Sequence, residues 1–93
     1  MSFPIQHQPQ DQEFTATVDG HSAELAYSQP NPETIDFAHT FVDEELRGKG
    51  VGEALAQEGL NYAREQGLRV LTSCKFMAAY VKRHPEYQDL LAK

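Results

Sequence analysis

The stretch from Phe41 to Gly52, with the sequence FVDEELRGKGVG, constrains the fold more than any other part of this chain. The pattern before it, over Thr34–Val42, predicts a strand, and the apolar stripe after it, over Val51–Gln66, predicts a helix. In the turn between them, glycines stand at alternate positions and two cations accompany them. The turn consists of Arg47, Gly48, Lys49, Gly50, Val51 and Gly52.

This turn has the chemistry of a phosphate-binding site. A helix N-terminus presents N–H groups that have no intrahelical partner, and it carries a partial positive charge. Glycines remove the Cβ atoms that would keep an anion away from those groups. We therefore predict an anion cradle here, although an ordinary glycine-rich turn between a strand and a helix would show the same pattern. The spacing matches neither a Walker A loop nor a dinucleotide-binding fingerprint.

Length and charge narrow the class of protein. A chain of 93 residues predicts one small domain, spanning residues 1–93. Eight basic residues against fourteen acidic ones give a net charge of −6. This balance argues against nucleic acid as a partner and favours a small anionic ligand at a local cationic site.

Other features bear on the location of the protein. The single cysteine excludes an internal disulfide and fits a reducing compartment. No apolar run is long enough for a membrane helix, and Met1–Gln12 lacks the features of a signal peptide. We therefore expect a cytoplasmic protein without a membrane partner, and a loose N-terminal arm over residues 1–12. A short edge pairing by Phe3 and Ile5 is the alternative for that arm.

The histidines show no ligand spacing, so no metal site is predicted.

The first half of the chain predicts an antiparallel meander. Glu13–Val18 alternates apolar and polar residues, and the following Asp19-Gly20 is a strong two-residue hairpin signal. The second strand is predicted over His21–Ser28, with a turn at residues 29–32. The third strand, Thr34–Val42, carries apolar residues at both alternating sets of positions. This predicts a central strand that is covered on both faces.

The second half predicts a βαβ unit and a closing segment. Gly59, in the middle of the first helix, costs about 1 kcal/mol relative to Ala, so we expect it to contact the sheet closely. Gly67 is typical of the position just past a helix end. Leu68–Ser73 predicts a strand parallel to the third strand. A second helix over Lys75–His84 and a short helical tail over Glu86–Lys93 complete the chain.

Two separated motifs resemble one family. Arg47-x-x-Gly50-x-Gly52 is similar to the pyrophosphate-binding motif, Gln/Arg-x-x-Gly-x-Gly/Ala, of the GCN5-related N-acetyltransferases. The segment from Cys74-Lys75-Phe76 through Tyr80 to Arg83-His84-Pro85-Glu86-Tyr87 resembles a compact subfamily of these proteins. The resemblance covers residues 12–90, most firmly 41–87. It implies a minimal α+β fold in which the meander leads into a parallel strand pair and helices lie on the sheet faces.

The resemblance also implies a ligand. In this family, acetyl-CoA or CoA binds with its pyrophosphate at the helix N-terminus and its pantetheine arm in a gap between two diverging strands. An open strand edge offers unpaired N–H and C=O groups to such an arm. This implies that Phe41 and Val42 join residues 47–52 in cofactor binding. The alternative is that both are only core residues.

Three residues are candidates for catalysis. The resemblance implies that Tyr80 protonates the leaving thiolate of coenzyme A, although a core aromatic on an amphipathic helix has the same spacing. Cys74 precedes a helix and adjoins Lys75, which favours the nucleophilic thiolate, so it is a candidate acyl acceptor. A packing role for Cys74 is the alternative. His39 on the predicted central strand is the best candidate for a general base.

Two functions follow from these residues. One is an N-acetyltransferase that moves acetyl from acetyl-CoA to an amine of unknown identity. The other is a module that binds acetyl-CoA or CoA without turnover. Full-sized family members have helices between their first two strands and further strands after the last helix, and these usually shape the acceptor pocket. We expect this chain to lack them.

Overall fold

A computed structural model describes residues 3–91 of the chain. Five strands form one sheet in the order β1-β2-β3-β4-β5. The strands are β1 (Ile5–Gln8), β2 (Glu13–Val18), β3 (His21–Asn31), β4 (Thr34–Val42) and β5 (Arg69–Thr72). The helices are α1 (Val51–Gln66) and α2 (Lys75–Arg83), with 3-10 helices at Glu44–Leu46 and Pro85–Leu90. Neighbouring strands are antiparallel except for β4 and β5, which are parallel. The α+β fold class is therefore confirmed.

The hairpin between β2 and β3 has the register that a two-residue turn at Asp19-Gly20 requires. Phe14 pairs with Leu25, Ala16 with Ala23 and Val18 with His21. Asp19 and Gly20 both have positive φ, at 53° and 80°, as a tight two-residue turn of this kind requires. The paired apolar residues at 14, 16, 23 and 25 all lie in the core, so turn chemistry and hydrophobic pattern specify the same pairing.

The prediction of a loose N-terminal arm is wrong for much of residues 3–12. Ile5–Gln8 forms an edge strand that pairs with β2, with Ile5 opposite Ala16. Edge pairing at Ile5 was the alternative, and it is confirmed. The segment is polar, so its stability comes from the ladder and from side chains packed on the neighbouring strand. Met1 and Ser2 lie outside the described residues.

A β-bulge in β4 overturns the predicted pattern of its two faces. Phe37 pairs with Tyr27 and His39 pairs with Ala26, so Ala38 is an extra residue. Side chains at 35 and 37 therefore share the core face with those at 40 and 42, whereas His39 and Phe41 lie on the opposite face. Two-sided cover of this strand was predicted because the sequence pattern hid the bulge, and that prediction is wrong. The opposite face is open: Phe41 is 44% exposed.

Strand β3, which was predicted over His21–Ser28, runs further than predicted. It continues to Asn31 through a second irregularity between Ser28 and Asn31. Pro30 lies within that irregularity, where a missing N–H costs no regular ladder bond. The predicted turn at residues 29–32 was therefore placed too early, and the chain reverses at Pro32 and Glu33.

Helix α1 lies against the buried face of the sheet, and α2 packs into the same core. A Cβ on Gly59 would lie 2.9 Å from Cε1 of Phe37 and 3.0 Å from Cδ2 of Leu25. The predicted close contact at this glycine is confirmed. Gly67 ends the helix in the left-handed conformation, with φ 69°, as predicted. No helix within residues 3–91 has the length and hydropathy needed to cross a bilayer.

The C-terminal segment is fixed to α1. Arg64 donates two hydrogen bonds to the carboxylate of Asp89, at 3.0 and 3.1 Å, and one to the carbonyl of Glu86. Tyr87 and Leu90 are buried, and Leu91 forms a parallel bridge with Val70. The predicted helical tail is therefore a 3-10 helix that closes the core, within the part of the tail that the structure describes.

Candidate functional site

The turn between β4 and α1 is held by its own hydrogen bonds. Oδ1 of Asp43 accepts from the Glu45 N–H at 2.9 Å and so caps a short 3-10 helix. Leu46 is almost fully buried and anchors this segment to the core. The Leu46 carbonyl then accepts from the Lys49 N–H at 3.2 Å. The chain is thereby positioned before α1 begins.

No side chain among residues 3–91 caps the N-terminus of α1. Gly50 is the N-cap residue with φ 85°, and Gly48 has φ 82°, a conformation that favours glycine at both positions. The first helical bond runs from the Ala54 N–H to the Gly50 carbonyl, at 3.0 Å. The N–H groups of Val51, Gly52 and Glu53 therefore have no partner within the helix. They form a cluster of free donors at the positive end of the helix dipole.

A pocket of about 150 Å³ opens beside these donors. Its lining comes from β4, the turn, α1 and α2: Val42, Leu46, Arg47, Gly48, Gly50, Val51, Gly52, Glu53 and Phe76. A Cβ on Gly52 would lie 3.1 Å from Cζ of Phe76 and 3.4 Å from Cγ2 of Val42. Glycine at 52 therefore keeps open the narrow space between strand and second helix.

The pocket adjoins an open edge of β4. Pairing with β5 ends at Phe37 and Thr72, and the Phe37 carbonyl then accepts from the Cys74 N–H at 2.9 Å. The Asp43 N–H bonds to the Ser22 carbonyl on the β3 side. Because backbone groups alternate sides along an antiparallel strand, those of Thr40 and Val42 face the edge that β5 has left. The 3.4 Å bond from Nε of Arg47 to the Val42 carbonyl agrees with this direction.

Cys74 lies where β4 and β5 separate. It is the N-cap residue of α2, is half-buried, and has its Sγ 3.2 Å from Oγ1 of Thr40. The thiol is thus at the head of the gap, on the same side of the sheet as the pocket.

Tyr80 is buried in an aromatic group on α2 and the following 3-10 helix. Its ring stacks on His84 at a centroid distance of 4.1 Å, and Tyr87 lies 6.2 Å away. Burial is the main cause that raises the pKa of Tyr80, and the charges of Tyr87, Glu86 and Glu53 add to it. The phenol therefore stays protonated at neutral pH, and Tyr80 is not part of the pocket lining.

Two predicted site residues lie on the opposite face of the sheet from this pocket. The bulge at Ala38 places His39 and Phe41 on the open face of the sheet, whereas Thr40 and Cys74 meet on the core side. His39 is therefore not brought together with Cys74. Lys49 is exposed at the rim. Within residues 3–91, no three His, Cys, Asp or Glu side chains are close enough to hold a metal ion.

Sequence reasoning missed four residues of the site: Thr40, Leu46, Glu53 and Phe76. Thr40 and Phe76 were assigned to a strand and a helix without a role in the site, and Glu53 was placed on the outer face of α1. Phe76 carried a usable signal, because it is one turn before Tyr80 on the face that packs inward. Thr40 carried none, because its direction depends on the bulge.

The fold and the pocket define a class of protein. A diverging parallel strand pair, with a glycine-rich helix N-terminus at the open end, is the arrangement expected for the GCN5-related N-acetyltransferases. A model of that family, described as GCN5-related N-acetyl-transferase, matches residues 13–90. The chain belongs to this family.

Several known proteins are similar to this chain in sequence or structure over most of its length. Protein NATD1 of Xenopus tropicalis is 29% identical over 91 residues, covering 96% of this chain and 84% of its own. Protein NATD1 of Homo sapiens is 30% identical over 88 residues, covering 92% and 78%. The solution structure of a GCN5-like putative N-acetyltransferase from Staphylococcus aureus superposes with a TM-score of 0.77 at 29% identity, covering 98% of this chain and 89% of that one. Ard1 from Thermoplasma volcanium gives 0.64 at 25% identity, covering 84% and 57%.

Proposed function

We propose that this protein binds acetyl-CoA and transfers its acetyl group to an amine. One observation carries the proposal: the free N–H groups at the start of α1 and the open edge of β4 border the same pocket. The donors suit a pyrophosphate, and the strand edge suits the amides of a pantetheine arm. Family membership supports the same ligand.

The residues present fit such a ligand. Gly48, Gly50, Val51 and Gly52 supply backbone approach and N–H donors. Arg47 and Lys49 supply positive charge for the phosphates, and the backbone of Val42 and Thr40 supplies the strand edge. Glu53 in the first turn is the one carboxylate in the lining, and it lies on the exposed side of the helix. Phe41 and His39 have no part in the proposed site because they lie on the other face.

Acetyl-CoA would supply an activated thioester. Tyr80, protonated and held by its ring contacts, is proposed to give its proton to the departing thiolate. Cys74 is proposed as a carrier of the acetyl group: its sulfur would attack the thioester carbonyl carbon, with coenzyme A as the leaving thiol. An amine would then take the acetyl group from sulfur to nitrogen and free the cysteine.

Binding without turnover is the second candidate. The connection between β1 and β2 is only four residues, 9–12, where full-sized members carry helices that shape an acceptor pocket. The histidine predicted as a base also faces away. Both observations favour a module that holds acetyl-CoA or CoA without transferring the acetyl group.

Mass spectrometry with acetyl-CoA separates these candidates. The native spectrum should show a one-to-one complex. After denaturation, a carrier role predicts one added acetyl group on Cys74 that hydroxylamine removes. A complex without this label, together with no acetylation of added polyamines or lysine peptides, would indicate plain binding. No complex at millimolar acetyl-CoA would contradict the proposal.

A further inference from the structure

A second pocket lies at the opposite end of the sheet. It has a volume of about 320 Å³ and lies between the first two strands and the C-terminal half of α1. That volume is at the lower end of the range of small-molecule sites, about 300–1,000 Å³. It shares no lining residue with the pocket at the start of α1. Three strand spacings separate β1 from β4, or about 14 Å.

The wall of this pocket is aromatic. His7 stacks on Phe14 at 4.2 Å with an interplanar angle of 9°, and Tyr62 meets His7 edge-on at 4.5 Å. Nε2 of His7 forms a hydrogen bond with the hydroxyl of Tyr27. Burial lowers the pKa of His7, so the ring is neutral at neutral pH. Phe14 is buried, so the aromatic surface that the wall offers comes from the half-buried His7 and Tyr62, and it carries no positive charge.

The rim of the pocket is acidic. Glu58, Asn61, Tyr62 and Glu65 are spaced at i, i+3, i+4 and i+7 along α1, so they share one face of the helix. Both glutamates are exposed, and neither forms a salt bridge with another residue in the 3–91 range. Within residues 3–91, no lysine or arginine lines the pocket. Arg64, the nearest cation in sequence, is bonded to Asp89 instead.

We propose that this pocket binds a small organic cation, of the alkylammonium class. Aromatic rings attract such cations through their electron-rich faces, and two unneutralised carboxylates add Coulomb attraction. Oδ1 of Asn61, between the two glutamates, accepts from the hydroxyl of Tyr87 at 3.4 Å and has a second lone pair for an N–H or O–H of the ligand. This site does not depend on acetyl-CoA binding, because its residues are separate from those at the start of α1.

Choline and its neutral isostere, 3,3-dimethyl-1-butanol, test the proposal by NMR titration of ¹⁵N-labelled protein. Choline should produce saturable shifts in the amides of residues 5–8 and 58–65, and none specific to residues 50–53. The neutral isostere should bind at least about fivefold more weakly, since it loses both the cation–π contact and the attraction of the carboxylates. Equal shifts from the two compounds, or no saturation by choline, would overturn the proposal.

Variants of two exposed glutamates test whether their carboxylates attract the cation. Glu58→Gln and Glu65→Gln should each weaken choline roughly threefold to fivefold, because an exposed charge pair contributes less than a tenfold step in affinity. Glu33→Gln, at the exposed turn between β3 and β4 and outside the pocket lining, is the matched control and should bind choline like the wild type. All three variants should keep wild-type affinity for acetyl-CoA. If the two pocket variants bound choline as the control does, the carboxylates would have no role and the proposal would fail.

Discussion

The hydroxyl of Thr40 lies 3.2 Å from the sulfur of Cys74, across the point where β4 and β5 separate. This contact joins the strand whose edge is open to the first residue before α2. It is reinforced by the bond from the Cys74 N–H to the Phe37 carbonyl. The thiol is therefore held at the head of the gap in which we place the pantetheine arm.

The first prediction concerns that thiol. Cys74→Ser should abolish the hydroxylamine-sensitive acetyl label and leave acetyl-CoA affinity within about twofold of wild type, because the anion cradle uses other groups. Serine can keep a hydrogen bond to Thr40, so the fold is retained. Denaturing mass spectrometry and calorimetry measure the two quantities. A label that persists in the variant would place the acyl group on another residue.

The second prediction concerns the phosphate contact. Arg47→Ala should weaken acetyl-CoA by about 10- to 100-fold, the range for loss of a charge-assisted contact. Acetyl-pantetheine, which has no pyrophosphate, should lose little. Arg83→Ala, at the exposed end of α2, is the control and should affect neither ligand. Equal losses of affinity for both ligands in calorimetry would remove Arg47 from the phosphate role.

The third prediction concerns the proton donor. Tyr80→Phe retains the ring that stacks on His84, so unfolding midpoints should change little, whereas the acetyl-transfer rate should fall at least about 100-fold. Because the pKa of Tyr80 is raised, its proton should not limit the wild-type rate until the pH exceeds about 10. Tyr87→Phe, which removes a hydroxyl bonded to Asn61 at 3.4 Å, is the control. Similar rates for the two variants would argue against Tyr80 as the donor.

The fourth prediction concerns pH and the closing segment. The hydrogen bond from Arg64 holds the pKa of Asp89 below its usual value. A carboxyl group with a lowered folded-state pKa stabilises the fold above its unfolded value, about 3.9, and loses that effect as pH falls through the folded value. Asp89→Asn should therefore melt below wild type at neutral pH, and the difference should vanish near pH 2. Asp11→Asn, in an exposed turn, is the control: its melting temperature should stay close to that of the wild type at both pH values.

The fifth prediction concerns the contact between α1 and the sheet. Gly59→Ala should destabilise the fold by about 1–3 kcal/mol, because the added methyl would overlap Phe37 and Leu25. This should occur although Ala is favoured over Gly in a helix by about 1 kcal/mol. Gln57→Ala, on the exposed side of the same helix, should change the free energy of unfolding by less than about 0.5 kcal/mol. Denaturant unfolding of both variants would check the sign.

Much of the fold could be predicted from the sequence, because turn and helix-end signals agreed with the pattern of apolar residues. The bounds of β2, β4 and α1 were predicted to the residue, since turn chemistry, period and end signals coincide there. For β5 and α2, three of the four predicted ends differ from the observed ends by one residue, and the predicted start of α2 is the observed one. The 3-10 helix at Glu44–Leu46 was missed, because a single turn capped by an aspartate leaves little periodic pattern. The polar β1 strand was missed for a similar reason: the partner strand decides its pairing.

The sequence by itself determined the glycine-rich turn and helix start at Arg47–Gly52, where we propose an anion cradle, since glycines and a helix start are local features that need no long-range contact. It also determined the hairpin register and the contact at Gly59. Only the tertiary structure decided which side chains meet. One extra residue at Ala38 turns His39 and Phe41 away from the site and turns Thr40 toward Cys74. A bulge is selected by strand pairing and packing between residues far apart in the chain, so a pattern of period two cannot reveal it.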